Sequence, residues 1–268
     1  EFRRVLFRSN EIALLRRAKK RILRYEIKAA EITPKPVSFE ECLVDTGHKT
    51  DVEELKEKYL VFDVETNGTR PTNDDLLSLS FFDPTTGILY NRFFPLDLQP
   101  IVTASYYNGI TEKMLADKTH LTKEELDRII DYFGLENRIL LSYSGGKGEF
   151  DQKVVQNYCK RHGLKWPEDL SYENIKSRFP EAPWGSEGEL TKDNLCELLG
   201  IGGVTEVHSS ASDCVLEWKL FEKIAPEKLF FINNKLYGYS PDYIAPISCL
   251  LNNPVLLSYT GISLPRIT

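Results

Sequence analysis

Residues 59–68 read Tyr-Leu-Val-Phe-Asp-Val-Glu-Thr-Asn-Gly, and their pattern decides the fold class. Apart from Asp63, the run to Val64 is aliphatic or aromatic, which predicts a buried strand. Side chains on a strand alternate in direction, so Asp63 and Glu65 point to the same face near the strand's C-terminal end. Ligands of open α/β sheets gather at such ends. Two carboxylates held this way form a hard oxygen donor set suited to Mg²⁺ or Mn²⁺. Alone, Asp-x-Glu is also what a strand shows where it leaves the core and turns polar.

Working outward, 76–83 and 88–94 are apolar runs that predict two further strands, and Asp83-Pro84 with Gly87 between them suits a hairpin connection. Upstream, residues 51–58 (Asp-Val-Glu-Glu-Leu-Lys-Glu-Lys) predict a short helix. Downstream, Asn108-Gly109 marks a turn and Thr111 is a candidate helix N-cap. Residues 122–133, 151–162, 191–200 and 211–224 carry helical spacing, 138–143 a strand, and 170–179 a short strand followed by a helix. Gly200 closes the third of those helices. Hairpins first and β/α alternation afterwards predict an α/β domain with a mixed sheet.

The flanks differ in character. Residues 1–9 (Glu-Phe-Arg-Arg-Val-Leu-Phe-Arg-Ser) resemble the translation of a sequencing adaptor and are set aside as an artefact. Residues 10–36 read as a basic amphipathic helix and linker, ended by Pro34 and Pro36. Its Arg and Lys face is more simply a solvated surface than a nucleic-acid contact. The main domain is expected over 55–226. Residues 227–268 form an appendage, with a β-hairpin over 228–239 around Asn233-Asn234.

Bulk properties exclude several classes. The 268 residues are 41% hydrophobic and 28% charged, an ordinary globular balance with enough chain for a sizeable core. The formal net charge of −6 argues against binding nucleic acid by phosphate neutralisation alone, though not against a site that holds cations. Five cysteines with no Cys-x-x-Cys pair disfavour a zinc knuckle or disulfide framework, so a reducing cytoplasmic setting is expected. No apolar run reaches the roughly 18 residues of a membrane span.

Two more elements carry chemistry. Asp151 follows Phe150 at the start of a predicted helix, where an acidic residue also serves as a cap. His208 precedes Asp213 by five residues, with Asp213 on a predicted helix and His208 in the loop before it. An imidazole suits proton abstraction from water near neutral pH. Each element alone has an ordinary structural reading. Gly-Gly-Lys-Gly at 145–148 lacks the spacing of a phosphate-binding P-loop and reads as a loop, with Lys147 more simply solvated than on a phosphate.

Their order is more specific than any one of them. Asp-x-Glu on a first strand, Phe-Asp at a helix start, then His-x₄-Asp after a helix resembles the DEDDh (DnaQ-like) branch of the 3′→5′ exonuclease superfamily. That branch includes proofreading subunits of bacterial replicases and enzymes of the ribonuclease T type. The resemblance runs over about residues 57–225. It includes Asn-Gly-Ile-Thr at 108–111, Gly-Glu-Phe-Asp at 148–151 and Asp-Asn-Leu-Cys-Glu-Leu-Leu-Gly-Ile at 193–201. The tyrosine branch needs Tyr four residues before Asp213, where this chain has Ser209. The chain departs from the family's His-Asn-Ala lead-in to Phe-Asp.

The resemblance implies a ribonuclease H-like fold: a mixed five-stranded sheet flanked by helices. It implies two divalent ions, Mg²⁺ or Mn²⁺, held by Asp63, Glu65, Asp151 and Asp213, with His208 as general base. It further implies release of nucleoside 5′-monophosphates from a single-stranded 3′ end, with DNA favoured over RNA but the choice not readable from the sequence, and a polymerase as candidate partner. Thr66, Ile110 and Phe150 are the expected substrate contacts, whereas Tyr106 and Tyr107 are expected to pack in the core. A catalytically silent nucleic-acid or partner-binding module on the same fold is the alternative.

Overall fold

The computed structural model describes residues 36–98, 104–143, 149–178, 208–224, 228–232, 235–239 and 244–246, together with Lys192, Leu195, Cys196, Leu199 and Ile201. The basic helix expected within 10–36 and Lys147 lie outside the described residues, as does most of 191–200.

The strands of the main sheet are β1 (Leu43–Asp45), β2 (Tyr59–Thr66), β3 (Leu76–Asp83), β4 (Ile88–Phe93), β5 (Ile139–Ser142) and β6 (Ser171–Asn174). Their spatial order is β1-β4-β3-β2-β5-β6. β2, β3 and β4 pair antiparallel, whereas β5 runs parallel to β2 and β6 parallel to β5. A three-strand meander with parallel strands added beside its first member is the ribonuclease H-like mixed sheet that was expected. The sheet has six strands rather than five, because Leu43–Asp45 pairs antiparallel with β4 at the edge. Three residues with two exposed positions show no periodicity, so this strand is set by its partner and not by its own pattern. The helix expected at 51–58 shrinks to one 3-10 turn, Glu53–Leu55, and Glu57 adopts a φ of 57° just before β2 begins.

Alternation along β2 supplies two cores. Leu60, Phe62 and Val64 face one side, packing with Phe81, Tyr90, Ile129, Phe133, Val154 and Tyr158. Tyr59 and Val61 face the other, with Phe82, Leu89, Leu141, Leu216, Leu220 and Phe221. Full burial of each such side chain contributes about 1.5–3 kcal/mol. Truncating the fully buried Phe81 to Ala would cost about 3–5 kcal/mol.

The helices whose bounds lie within the described residues are α1 (Ser105–Asn108), α2 (Glu112–Leu115), α3 (Lys123–Phe133), α4 (Phe150–Arg161) and α5 (Ser210–Ile224), and Lys192, Leu195 and Cys196 are also helical. Helix α3 begins where the Thr122 hydroxyl accepts the Glu125 amide and ends at Gly134, whose φ of 58° suits glycine. Its Leu126, Ile129 and Phe133 stripe and the Val154, Val155 and Tyr158 stripe of α4 cover the first face. Helix α5 covers the second.

A separate antiparallel sheet comprises β7 (Lys228–Ile232), β8 (Lys235–Tyr239) and β9 (Ile244–Pro246). The expected hairpin is present in the register Phe231↔Leu236, and β9 extends it. Among the described residues no helix is long and apolar enough to cross a membrane.

Candidate active site

Asp63 and Glu65 continue the row begun by Tyr59 and Val61, so they project from the face that α5 covers. The β2–β5 ladder runs only from Tyr59 to Val61, which leaves the carboxylate end of β2 beyond that ladder. On the other side, Asp63 pairs with Ser80 and Glu65 with Ser78. Both serines are small and lie within 2.8–2.9 Å of the Ser210 hydroxyl, in the first turn of α5. A larger residue at either position would push the helix outward. The three hydroxyls bring α5 down, and Asp213 follows one turn later.

The result is a tight carboxylate cluster. Ligand oxygens of Asp63, Glu65 and Asp213 all lie within 4.8 Å of one another. Asp63 and Asp213 are only 6% and 2% exposed. Asp151 is buried in the first turn of α4, with Glu149 as the preceding cap residue. It is therefore not the cap suggested by the sequence, although the helix N-terminus favours its charge. Its charge acts on Asp63, Glu65 and Glu217. The structure thus clusters Asp63, Glu65 and Asp213, with Asp151 near enough for its charge to act on the first two.

Burial and mutual repulsion dominate the electrostatics. Burial, then repulsion from Asp213, pushes Glu65 up to about 8, against a hydrogen bond from Asn108 and the charge of Lys192. Burial likewise raises Asp63 well above the usual carboxylate range. Among the described residues, Asp63 Oδ2 and Asp213 Oδ1 are buried without a hydrogen-bond partner. Buried polar atoms normally have one. An all-oxygen donor set with orphaned oxygens in a repelling cluster fits a hard divalent cation.

Two further members were not anticipated. Lys192 is buried, with Nζ 2.7 Å from Glu217 Oε1 and 3.5 Å from Asp213 Oδ2. Burial opposes its charge, but Glu217, Asp63 and Asp213 together hold it well above the ordinary lysine range. Glu217 is fully buried, and burial pushes it up to about 8 despite the lysine. A signal for Glu217 existed: it stands four residues after Asp213, on the same helix face, amid Leu216, Trp218, Leu220 and Phe221. Lys192 had none, because only tertiary packing brings it to α5.

The rim is built by α1 and the start of α5. Asn108 bonds the Thr66 carbonyl at 3.3 Å and also the Glu65 carboxylate, so this turn is tied to the strand end. Tyr106 and Tyr107 are 87% and 72% exposed, not core residues, because the four-residue α1 has no buried face. His208 is exposed and meets the Tyr107 ring edge-on, with centroids 6.4 Å apart. Its φ of 48° lies in the left-handed region, at a cost of about 1–2 kcal/mol for a non-glycine residue. Such outliers cluster at functional sites. Thr66 is half-buried, with its hydroxyl on the Gly68 carbonyl. Ile110 is buried with Leu77 and Leu115, so it supports the turn from beneath. Phe150, half-buried, packs against the first core.

No protein-family model matches the chain, and neither does any curated protein sequence. Among solved structures it is similar to Exonuclease I from Methylocaldum szegediense, at 20% identity and a TM-score of 0.48, over 63% of this chain and 41% of that one. It is also similar to E. coli Exonuclease I in complex with a dA16 oligonucleotide, at 21% identity and a TM-score of 0.47, over 63% of this chain and 41% of the other. The E. coli enzyme with a dT13 oligonucleotide gives 19% identity and a TM-score of 0.48, over 61% and 40%. The chain spans about two fifths of the length of these Exonuclease I structures.

Proposed function

We propose that this chain is a metal-dependent 3′→5′ exonuclease acting on single-stranded nucleic acid, DNA in preference to RNA. The observation that carries the reading is the convergence of buried Asp63, Glu65 and Asp213, with orphaned oxygens, at the open end of β2. Cleavage polarity, the two-ion stoichiometry and a polymerase partner rest on the motif order.

Two bound divalent ions would stabilise both the attacking and the leaving oxygen of the phosphodiester. Asp63, Glu65, Asp151 and Asp213 would hold them. His208 would take a proton from the attacking water on a ring nitrogen, and its exposure on the rim leaves it open to solvent. Tyr106 and Tyr107 offer π-faces on which an unstacked terminal base would rest. Thr66, with its carbonyl engaged by Asn108, lines the path between them and the carboxylates.

One observation favours a second reading. Lys192 is an internal cation that neutralises part of the cluster, as a metal-free binding module would need. Digestion separates the two. Single strands of DNA and RNA labelled at the 3′ or 5′ end are offered, with Mn²⁺, to the intact protein and to Asp63→Ala. Stepwise shortening from the 3′ end, absent in the variant, is expected. A mobility shift without shortening would establish the binding module, and equal activity in both proteins would overturn the site.

A further inference from the structure

A second polar cluster lies at the opposite end of α4 from Asp151. Eleven residues separate Asp151 from His162, which at 1.5 Å per residue is about 16 Å. There Asp97, on the segment leaving β4, meets His120, which precedes α3, and His162, which ends α4. Asp97 Oδ1 lies 3.1 Å from His120 Nε2, and Asp97 Oδ2 lies 2.8 Å from His162 Nε2. The two imidazoles stack at 4.1 Å between centroids. Two of the chain's four histidines thus aim the same ring nitrogen at one carboxylate.

The geometry points to a binding site for a borderline-soft divalent ion, Zn²⁺ in the first instance, made by Asp97, His120 and His162. One ligand atom from each residue lies within 4.8 Å of the others. Zinc takes imidazole nitrogen at about 2.0–2.1 Å and carboxylate oxygen at about 2.0–2.2 Å, so neighbouring ligands of a tetrahedral ion sit about 3.3 Å apart. The two nitrogen–oxygen separations are already close to that spacing. Imidazole donors suit Zn²⁺, Cu²⁺ or Ni²⁺, while the all-carboxylate site suits Mg²⁺ or Mn²⁺. The chain would therefore hold two sites of different metal preference.

The ligands are also prepared and reachable. The Asp97 and Leu98 amides both donate to Asp75 Oδ2, at 3.2 and 2.9 Å, which fixes the segment bearing the carboxylate. His120 Nδ1 faces the Tyr158 hydroxyl at 3.4 Å, so its second nitrogen has an outer partner of the kind that orients metal-bound histidine. The side chains are 40%, 20% and 23% exposed for His120, His162 and Asp97, which leaves an entry path and room for a water as fourth ligand. On binding, the proton on each Nε2 passes through solvent to Nδ1 and the ion takes its place.

Such an ion would join three segments remote in sequence and clamp the end of the helix that carries Asp151. The test uses the full chain, equilibrated with Zn²⁺ in a large excess of Mg²⁺ and then dialysed, with zinc counted by elemental analysis. About one zinc per chain is expected in the intact protein and in Asp63→Ala. In His120→Ala and in His162→Ala, affinity should fall more than about 100-fold, the upper end of what loss of a mere supporting residue costs. Co²⁺ absorption on the intact protein gives a measurement that needs no variant: a visible band of a nitrogen-ligated four-coordinate ion is expected. Zinc retention unchanged in both histidine variants, or none in the intact protein, would overturn the site and leave a hydrogen-bonded surface clasp. Loss of zinc in Asp63→Ala alone would assign the ion to the carboxylate cluster and overturn it equally.

Discussion

Replacing Lys192 by Met removes the buried ammonium from a group of carboxylates while keeping the length and apolar stem of the side chain. The ammonium lies 2.7 Å from Glu217 and 3.5 Å from Asp213. At an effective dielectric of about 20, those separations give attractions of about 6 and about 5 kcal/mol. Desolvation of the charges cancels much of this, so a neutral pair in the same place would be nearly as stable. Removing one member alone is different. Glu217 is fully buried and must then keep its charge without a counter-ion or take up a proton. Loss of one partner of a buried pair costs about 3–5 kcal/mol. At about 2–4 °C per kcal/mol, Lys192→Met in chelator should melt about 6–20 °C below the intact protein. The assay is thermal unfolding followed by circular dichroism at pH 9, above the range in which burial keeps Glu217 protonated, on Lys192→Met, Glu217→Gln and the double variant. The double variant should recover part of the loss, because it leaves no orphaned carboxylate at position 217. Saturating Mn²⁺ should recover part of it too, by replacing one cation with another. A Lys192→Met melt within about 2 °C of the intact protein, or a double variant less stable than Lys192→Met, would refute the assignment of Lys192 as an internal counter-ion.

Three other outcomes follow from the same geometry. His208→Asn keeps a residue that tolerates the left-handed backbone but removes the proton acceptor, so kcat should fall about 10²- to 10⁴-fold with an unchanged melt, read by single-strand digestion. Glu65 and Glu217 hold their protons up to about 8 when folded, against 4.5 when unfolded. The native state therefore binds more protons across that window, and metal-free stability is full below it and lost as pH rises through about 8. Melts in chelator from pH 5 to 8.5 should show the fall, and the gain from Mn²⁺ should grow over the same range; a flat profile would contradict it. Tyr107→Ala removes a side chain that is 72% exposed, so the melt should barely move, whereas KM for single strands should rise about 5- to 150-fold if the ring stacks on a base, at about 1–3 kcal/mol per stack. An unchanged KM would remove Tyr107 from the substrate path.

The sequence by itself determined the parts governed by local periodicity. Alternation along 59–66 placed Asp63 and Glu65 on one face, and the helical run after Ser209 placed Asp213 one turn into α5. The hairpin over 228–239 was legible from its central asparagines and flanking β-formers. The edge strand Leu43–Asp45 was not, because three residues carry no period and the strand exists only through its hydrogen bonds to β4. Tyr106 and Tyr107 were misassigned to the core because aromatic character says nothing about which side of a single helical turn faces the protein. Only the tertiary structure placed Lys192 among the carboxylates and joined Asp97, His120 and His162. Distance along the chain carries no information about such contacts. They arise where separate elements are pressed together by the cores on either side of the sheet, and the polar groups caught between them must then find partners with one another.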